Sequence, residues 1–211
     1  MCCTTPAGRH GHSVYCVACP DDRGVTVIFG TLQTWRFRRR IASLHAALGI
    51  PEDYARRRAL PLQQEARRLV RVGQDIFQRE QWLIAPAAAA WHAMVRAAAT
   101  VGVELQIVSA YRSVSYQEDI LRKKLTNGHG IEEILQVSAA PGYSEHHSGR
   151  AVDVTAPGYR VLEEEFENSN AFAWLESHGS DFGFRLSYPR NNPHGVVYEP
   201  WHWAWWGDRR P

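Results

Sequence analysis

A carboxylate stands in the middle of an apolar strand. The segment Ala151-Val152-Asp153-Val154-Thr155 has the alternation and β-branched content of a strand, yet Asp153 lies between two valines. A buried charge is costly unless it is paired. The strand therefore needs a partner for Asp153 from another part of the chain. Alternation puts Ala151 and Asp153 on one face and Val152 and Val154 on the other.

Two short segments supply candidates. Ser144-Glu145-His146-His147-Ser148-Gly149-Arg150 runs into the strand, with His146 seven residues before Asp153. Glu199-Pro200-Trp201-His202-Trp203 lies near the C-terminus. Taken singly, each residue has an ordinary reading: a solvated loop histidine, a salt-bridged aspartate, an aromatic cluster around His202, a surface glutamate. Taken jointly, those readings need several coincidences. Two histidines and one carboxylate, with a fourth position left to water, form a ligand set for catalytic zinc. Glu199 is a spare carboxylate that can take a proton from that water. Pro200 disfavours the helical region for Glu199, so Glu199 and His202 are expected to enter the site from a neighbouring strand. The tryptophans beside His202 are expected to dry the site and fix its ring.

Bulk properties bound the remaining choices. A chain of 211 residues, 45% hydrophobic, fits one domain or one domain with an appendage. A formal net charge of +2 is too mild to argue for nucleic acid. Arginines cluster at Arg36 to Arg40, Arg56 to Arg58 and Arg67 to Arg71. They read as solvated helix faces, or as an attraction to an anionic polymer or lipid surface. No apolar run reaches the roughly 18 residues of a membrane span. Residues 1–30 lack a charged start followed by an apolar core, so no export signal is expected. All four cysteines, Cys2, Cys3, Cys16 and Cys19, lie in the first 19 residues. They read as an unstructured tail, with a second zinc site or a redox pair as alternatives.

Three regions are expected. Residues 1–24 read as a tail, or as a stretch ahead of the true start. Residues 25–83 read as a basic helical region, and 84–211 as a catalytic core. Within them, Val25–Phe29 predicts a strand, Thr34–Leu48 a basic helix ended by Gly49, and Leu62–Phe77 a helix after Pro61. Pro86 opens an alanine-rich helix through Thr100. Strands are expected at Glu104–Val108, Ala151–Thr155, Gly183–Tyr188 and Val196–Trp203. Helices are expected at Ser115–Leu125, Ile131–Gln136, Leu162–Phe166 and Asn170–His178. The sum is an α+β chain with a small, mostly antiparallel sheet flanked by helices.

The pattern S-x-H-x-x-G-x-A-x-D followed by E-P-W-H-W resembles the VanY-type D-alanyl-D-alanine carboxypeptidases. Their zinc peptidase superfamily also includes D-Ala-D-Ala dipeptidases and peptidoglycan endopeptidases. Ser109-Ala110-Tyr111-Arg112-Ser113, with Gln117 following, resembles the family's arginine motif. The likeness spans about Ile84 to Trp206. It implies a DD-peptidase/hedgehog-like fold and one Zn2+ per chain held by His146, Asp153 and His202. It implies Glu199 as the catalytic base and Arg112 as the group that binds and polarises the substrate near the scissile carbonyl. Ser144 and Gln117 would help hold the peptide and its terminal carboxylate. The implied substrate is a peptidoglycan stem peptide that loses a C-terminal D-alanine; the implied active unit is a monomer. The implied place is the periplasm or cell envelope, with the cytoplasm as the alternative. An endopeptidase, a dipeptidase and a non-catalytic cell-wall or metal-binding module stay open as alternatives. Two positions depart from the family pattern: Ala204 and Trp205 stand where an Arg-Tyr pair is common, and Asn191–Gly195 forms an unexpected turn.

Overall fold

The structure is a computed structural model that describes the backbone of residues 23–207. The tail, its four cysteines and the final four residues lie outside the described residues. The chain divides into two compact units, with the boundary between Arg36 and Phe37. The first helix, α1 (Arg23–Leu48), crosses that boundary. Val25–Phe29, expected as a strand, is part of this helix. Strand propensity over a short run is a weak preference, and a lone strand has no ladder to join.

Within the second unit, α2 (Tyr54–Arg58) is followed by irregular chain and then a hairpin of β1 (Val70–Gln74) and β2 (Glu80–Leu83). This corrects the expected helix over Leu62–Phe77. The apolar spacing there was periodic, but Gly73 at φ +124° and Gln78 at φ +62° mark turn and strand geometry instead. Helix α3 (Ala85–Thr100) carries Pro86 at its start and ends before Gly102 at φ +76°. Then come β3 (Gln106–Ser109), α4 (Val114–Thr126) capped by the Ser113 side chain on the Tyr116 N–H, and α5 (Ile131–Val137). A 3-10 turn over Glu145–Ser148 leads into β4 (Ala151–Thr155). A second 3-10 turn (Glu164–Asn168), α6 (Asn170–His178), β5 (Phe184–Leu186) and β6 (His202–Trp205) complete the chain. The strand expected over Val196–Trp203 is confined to its end. Residues 196–201 run as loop and turn.

The four-stranded sheet is antiparallel throughout, in the order β3-β4-β6-β5. Val152, Val154 and Trp203 face α3 and pack with Leu83, Trp91, Met94, Phe172, Leu175 and Phe184. A second apolar cluster joins Leu48, Tyr54, Leu121, Ile134, Leu135 and Tyr188. Because β4 is an inner strand covered on both faces, all five of its residues are buried. Asp153 and its cross-strand partner His202 point away from α3, by the period of two.

Gly149 joins the 3-10 turn to the approach of β4. Its φ is +67°, and a Cβ there would lie 2.9 Å from Leu69 Cδ2 and 3.2 Å from Ala66 Cβ. Both the left-handed backbone and the close approach favour glycine. Gly149→Ala is expected to lower stability by about 2–4 kcal/mol in a denaturant titration, combining αL strain with overpacking.

Candidate metal centre and active-site cavity

The Asp153 carboxylate is the meeting point of three segments. β4 places it at the sheet centre, and β6 places His202 directly across. The 3-10 turn brings His146 in from before β4. His146 Nε2 lies 3.3 Å from Asp153 Oδ1, and His202 Nδ1 lies 3.0 Å from the same oxygen. One atom from each of these residues lies within 4.8 Å of the others, and all three are buried. Tetrahedral zinc with bonds of about 2.0–2.1 Å separates its ligands by roughly 3.3 Å. The spacing of this donor set fits such an ion.

The outer nitrogens are held as well. His146 Nδ1 donates to the Ala110 carbonyl at 2.5 Å, which leaves Nε2 as the lone pair facing Asp153. His202 Nε2 contacts Glu145 Oε2 at 2.9 Å, which leaves Nδ1 inward. Glu145 is a functional neighbour that sequence reasoning missed. Its adjacency to His146 in the sequence gave no sign that it would reach His202.

Charge follows this arrangement. Burial, and then the Arg112 guanidinium, push His146 down to about 4, so its ring is neutral. Burial works against a charged His202, but Asp153 and Glu145 overcome it and raise the ring to about 10. Burial opposes ionisation of Asp153 too, yet His146 and Arg112 hold it well below the usual carboxylate range. The site thus draws a positive charge between its carboxylates, and a divalent cation can take the place of the His202 proton.

Glu199 does not enter from a strand as expected. It opens the turn before β6, where the His202 N–H donates to its carbonyl at 3.1 Å. Its carboxylate reaches within 3.9 Å of His202 Nδ1. Burial lifts its pKa to about 7, with Asp153 and Glu145 adding to the rise and His202 and Arg112 opposing it. Arg112 pairs with Asp153, contacts His146 Nε2 at 2.9 Å and donates from Nε to Ser109 Oγ at 2.9 Å. A bulge in β3 between Ile107 and Ser109 brings Ser109 opposite Asp153.

The hairpin that the sequence did not reveal supports this loop. Trp82 O accepts from the Tyr111 N–H, and Gln81 Oε1 accepts from the Ala110 N–H. Gln81 is itself fixed by Asp75.

His146, Asp153, His202, Glu199 and Arg112 open into a cavity of about 510 Å³, also lined by Gln117, Ser144, Tyr188 and Trp201. Ser144 and Gln117 therefore share the cavity with the ligand cluster. Tyr188 covers His202, with ring centroids 4.9 Å apart. Trp203, expected beside the site, faces the α3 core instead, because neighbours on a strand point opposite ways.

The family model described as VanY, D-alanyl-D-alanine carboxypeptidase, matches residues 80–208. A D-alanyl-D-alanine carboxypeptidase of Enterococcus faecalis is 32% identical over 121 residues, which cover 53% of this chain and 43% of that protein. Across the curated relatives the matches cover 32–63% of each relative's length. The solved structure of the LdcB LD-carboxypeptidase, which addresses peptidoglycan recognition, has a TM-score of 0.62 and 30% identity, covering 70% of this chain and 72% of that one. VanYB in complex with D-alanine-D-alanine has a TM-score of 0.54 and 27% identity, covering 68% and 80%.

His147 sits behind the cluster. Its Nε2 accepts from the Gly142 N–H at 3.0 Å and its Nδ1 donates to the Arg112 carbonyl at 2.7 Å. His147→Ala strands both groups. Stability is expected to fall by about 2–4 kcal/mol in a denaturant titration, with the bound-metal stoichiometry unchanged.

Proposed function

The chain belongs to the VanY family of D-alanyl-D-alanine carboxypeptidases, and on that premise we propose that it is a zinc-dependent carboxypeptidase removing a C-terminal D-alanine, or a related residue, from peptidoglycan stem peptides. The observation that carries this reading is the convergence of His146, Asp153 and His202 on one point of a cavity that also holds Glu199 and Arg112. A non-catalytic metal-binding module has no use for a buried, unligated carboxylate in that position.

His146 Nε2, Asp153 and His202 Nδ1 would hold the ion. Zinc there supplies a Lewis acid for the scissile carbonyl and lowers the pKa of a water. The protein's own residues do the rest. Glu199 takes the proton of the attacking water and returns it to the leaving amine. Arg112 cannot lose its charge, and its fork suits the oxyanion that forms on the scissile carbonyl. Glu145 holds the His202 ring in the tautomer that turns Nδ1 inward. The active unit is read as a monomer. A stem-peptide substrate places the enzyme in the periplasm or cell envelope.

The likeness to LdcB favours a second reading, an LD-carboxypeptidase acting on the tetrapeptide. Incubation of zinc-loaded protein with pentapeptide, tetrapeptide and cross-linked muropeptides separates the readings. Release of D-alanine from the pentapeptide alone supports the first, and release from the tetrapeptide supports the second. Cleavage of cross-links points to an endopeptidase. No release from any of them would overturn the peptidoglycan reading.

Purified protein is expected to contain one zinc per chain by elemental analysis. Glu199→Ala should keep that zinc and lower kcat by about 10²–10⁴-fold. Asp153→Ala should lose it. Glu145→Gln should weaken zinc about 10- to 100-fold in competition with a chromophoric chelator.

A further inference from the structure

Lys124 is a cation in the cavity wall that none of the steps above uses. It stands on α4 seven residues beyond Gln117, with Ile120 between them. This spacing lines up one helix face, and all three residues border the cavity. The Lys124 ammonium donates to Ser138 Oγ at 2.8 Å. An ammonium carries three donors. Among the described residues no carboxylate lies within ion-pair reach of it. Partial burial, and then the nearby Arg112 charge, lower its pKa, while Glu199 and Glu133 oppose the shift. An anion arriving beside it would relieve that penalty.

A carboxypeptidase has to recognise the free carboxylate next to the scissile bond, and the other polar groups of the wall are poorly suited to it. Arg112 is held by Asp153, His146 and Ser109. Arg79 is held by Asp75 and the Val108 carbonyl. Gln117 gives its amide N–H to the Ala139 carbonyl at 2.9 Å, and its Oε1 is buried without a partner. A neutral amide supplies no charge to meet a carboxylate. Ser144 can add a hydroxyl but no charge.

We propose that Lys124, steadied by Ser138, binds the terminal carboxylate of the peptide and so selects a free acid over an amide at the C-terminus. The assignment rests on reading the site as a carboxypeptidase. It adds a charged contact for that carboxylate to the neutral groups of Gln117 and Ser144.

Binding tests it apart from turnover. In zinc-loaded Glu199→Gln protein, isothermal titration calorimetry compares N-acetyl-D-alanyl-D-alanine with its C-terminal amide. The acid is expected to bind about 10- to 100-fold more tightly, the range of a hydrogen bond to a charged group. Adding Lys124→Met should abolish the preference while leaving amide affinity and zinc content unchanged. Lys124→Arg should retain most of it. Unchanged amide binding and zinc content show that the variant is folded. A preference that survives Lys124→Met, or one absent from the parent protein, overturns the assignment. Hydrolysis by the unmodified enzyme is read separately. A Lys124-dependent preference without D-alanine release would overturn the functional reading and leave this one standing. Release of D-alanine with the preference intact in Lys124→Met would do the reverse.

Discussion

The charge of Asp153 organises the protein around itself. It lies on an inner strand, buried on both faces, where an unpaired carboxylate would cost several kcal/mol. Three cationic or ring donors answer it: His146 from the preceding turn, His202 from the neighbouring strand and Arg112 from the loop after β3. Removing Arg112 or His202 takes positive charge from the carboxylate, and removing His146 takes away a ring nitrogen 3.3 Å from it. The sheet order β3-β4-β6 is what allows Arg112 and His202 to reach it, because the strand carrying Asp153 has a partner on each side.

The surrounding structure can be understood as support for those contacts. Gly149 lets the chain turn left-handed between His146 and β4, so His146 and Asp153 stand seven residues apart in sequence and still converge. The β3 bulge turns Ser109 toward Arg112. The β1–β2 hairpin fixes the Ala110 and Tyr111 N–H groups, and Asp75 fixes the hairpin through Gln81. Glu145 and Ala110 O set the ring orientations of the two histidines. This is a shell of hydrogen bonds behind each histidine of the cluster, the usual condition for a donor set able to hold one metal geometry.

The cavity divides by charge. Glu199 and Asp153 make one end suited to a cation, while Lys124 at the α4 wall offers the opposite sign. A peptide with a free C-terminus carries a polarisable carbonyl close to a fixed negative charge. A cavity with a carboxylate end suited to a cation and an ammonium wall matches that order of groups.

From the sequence alone, the grouping of His146, Asp153 and His202 with Glu199 and Arg112 was legible, because a charge inside an apolar strand and histidines beside turns are local anomalies with few physical explanations. The helix over Pro86–Thr100, the strand over Ala151–Thr155 and the α+β class were legible for a similar reason: strong periodicity with proline and glycine at the ends. The hairpin over residues 70–83 was not, since its apolar spacing mimicked a helix and its turn depends on pairing. The same holds for the side of Trp203, the turn that carries Glu199, and the reach of Glu145 to His202. Each of these depends on which strand lies beside which, and on what covers each face of the sheet. Such contacts join residues far apart in the chain, so tertiary packing decides them and local pattern cannot.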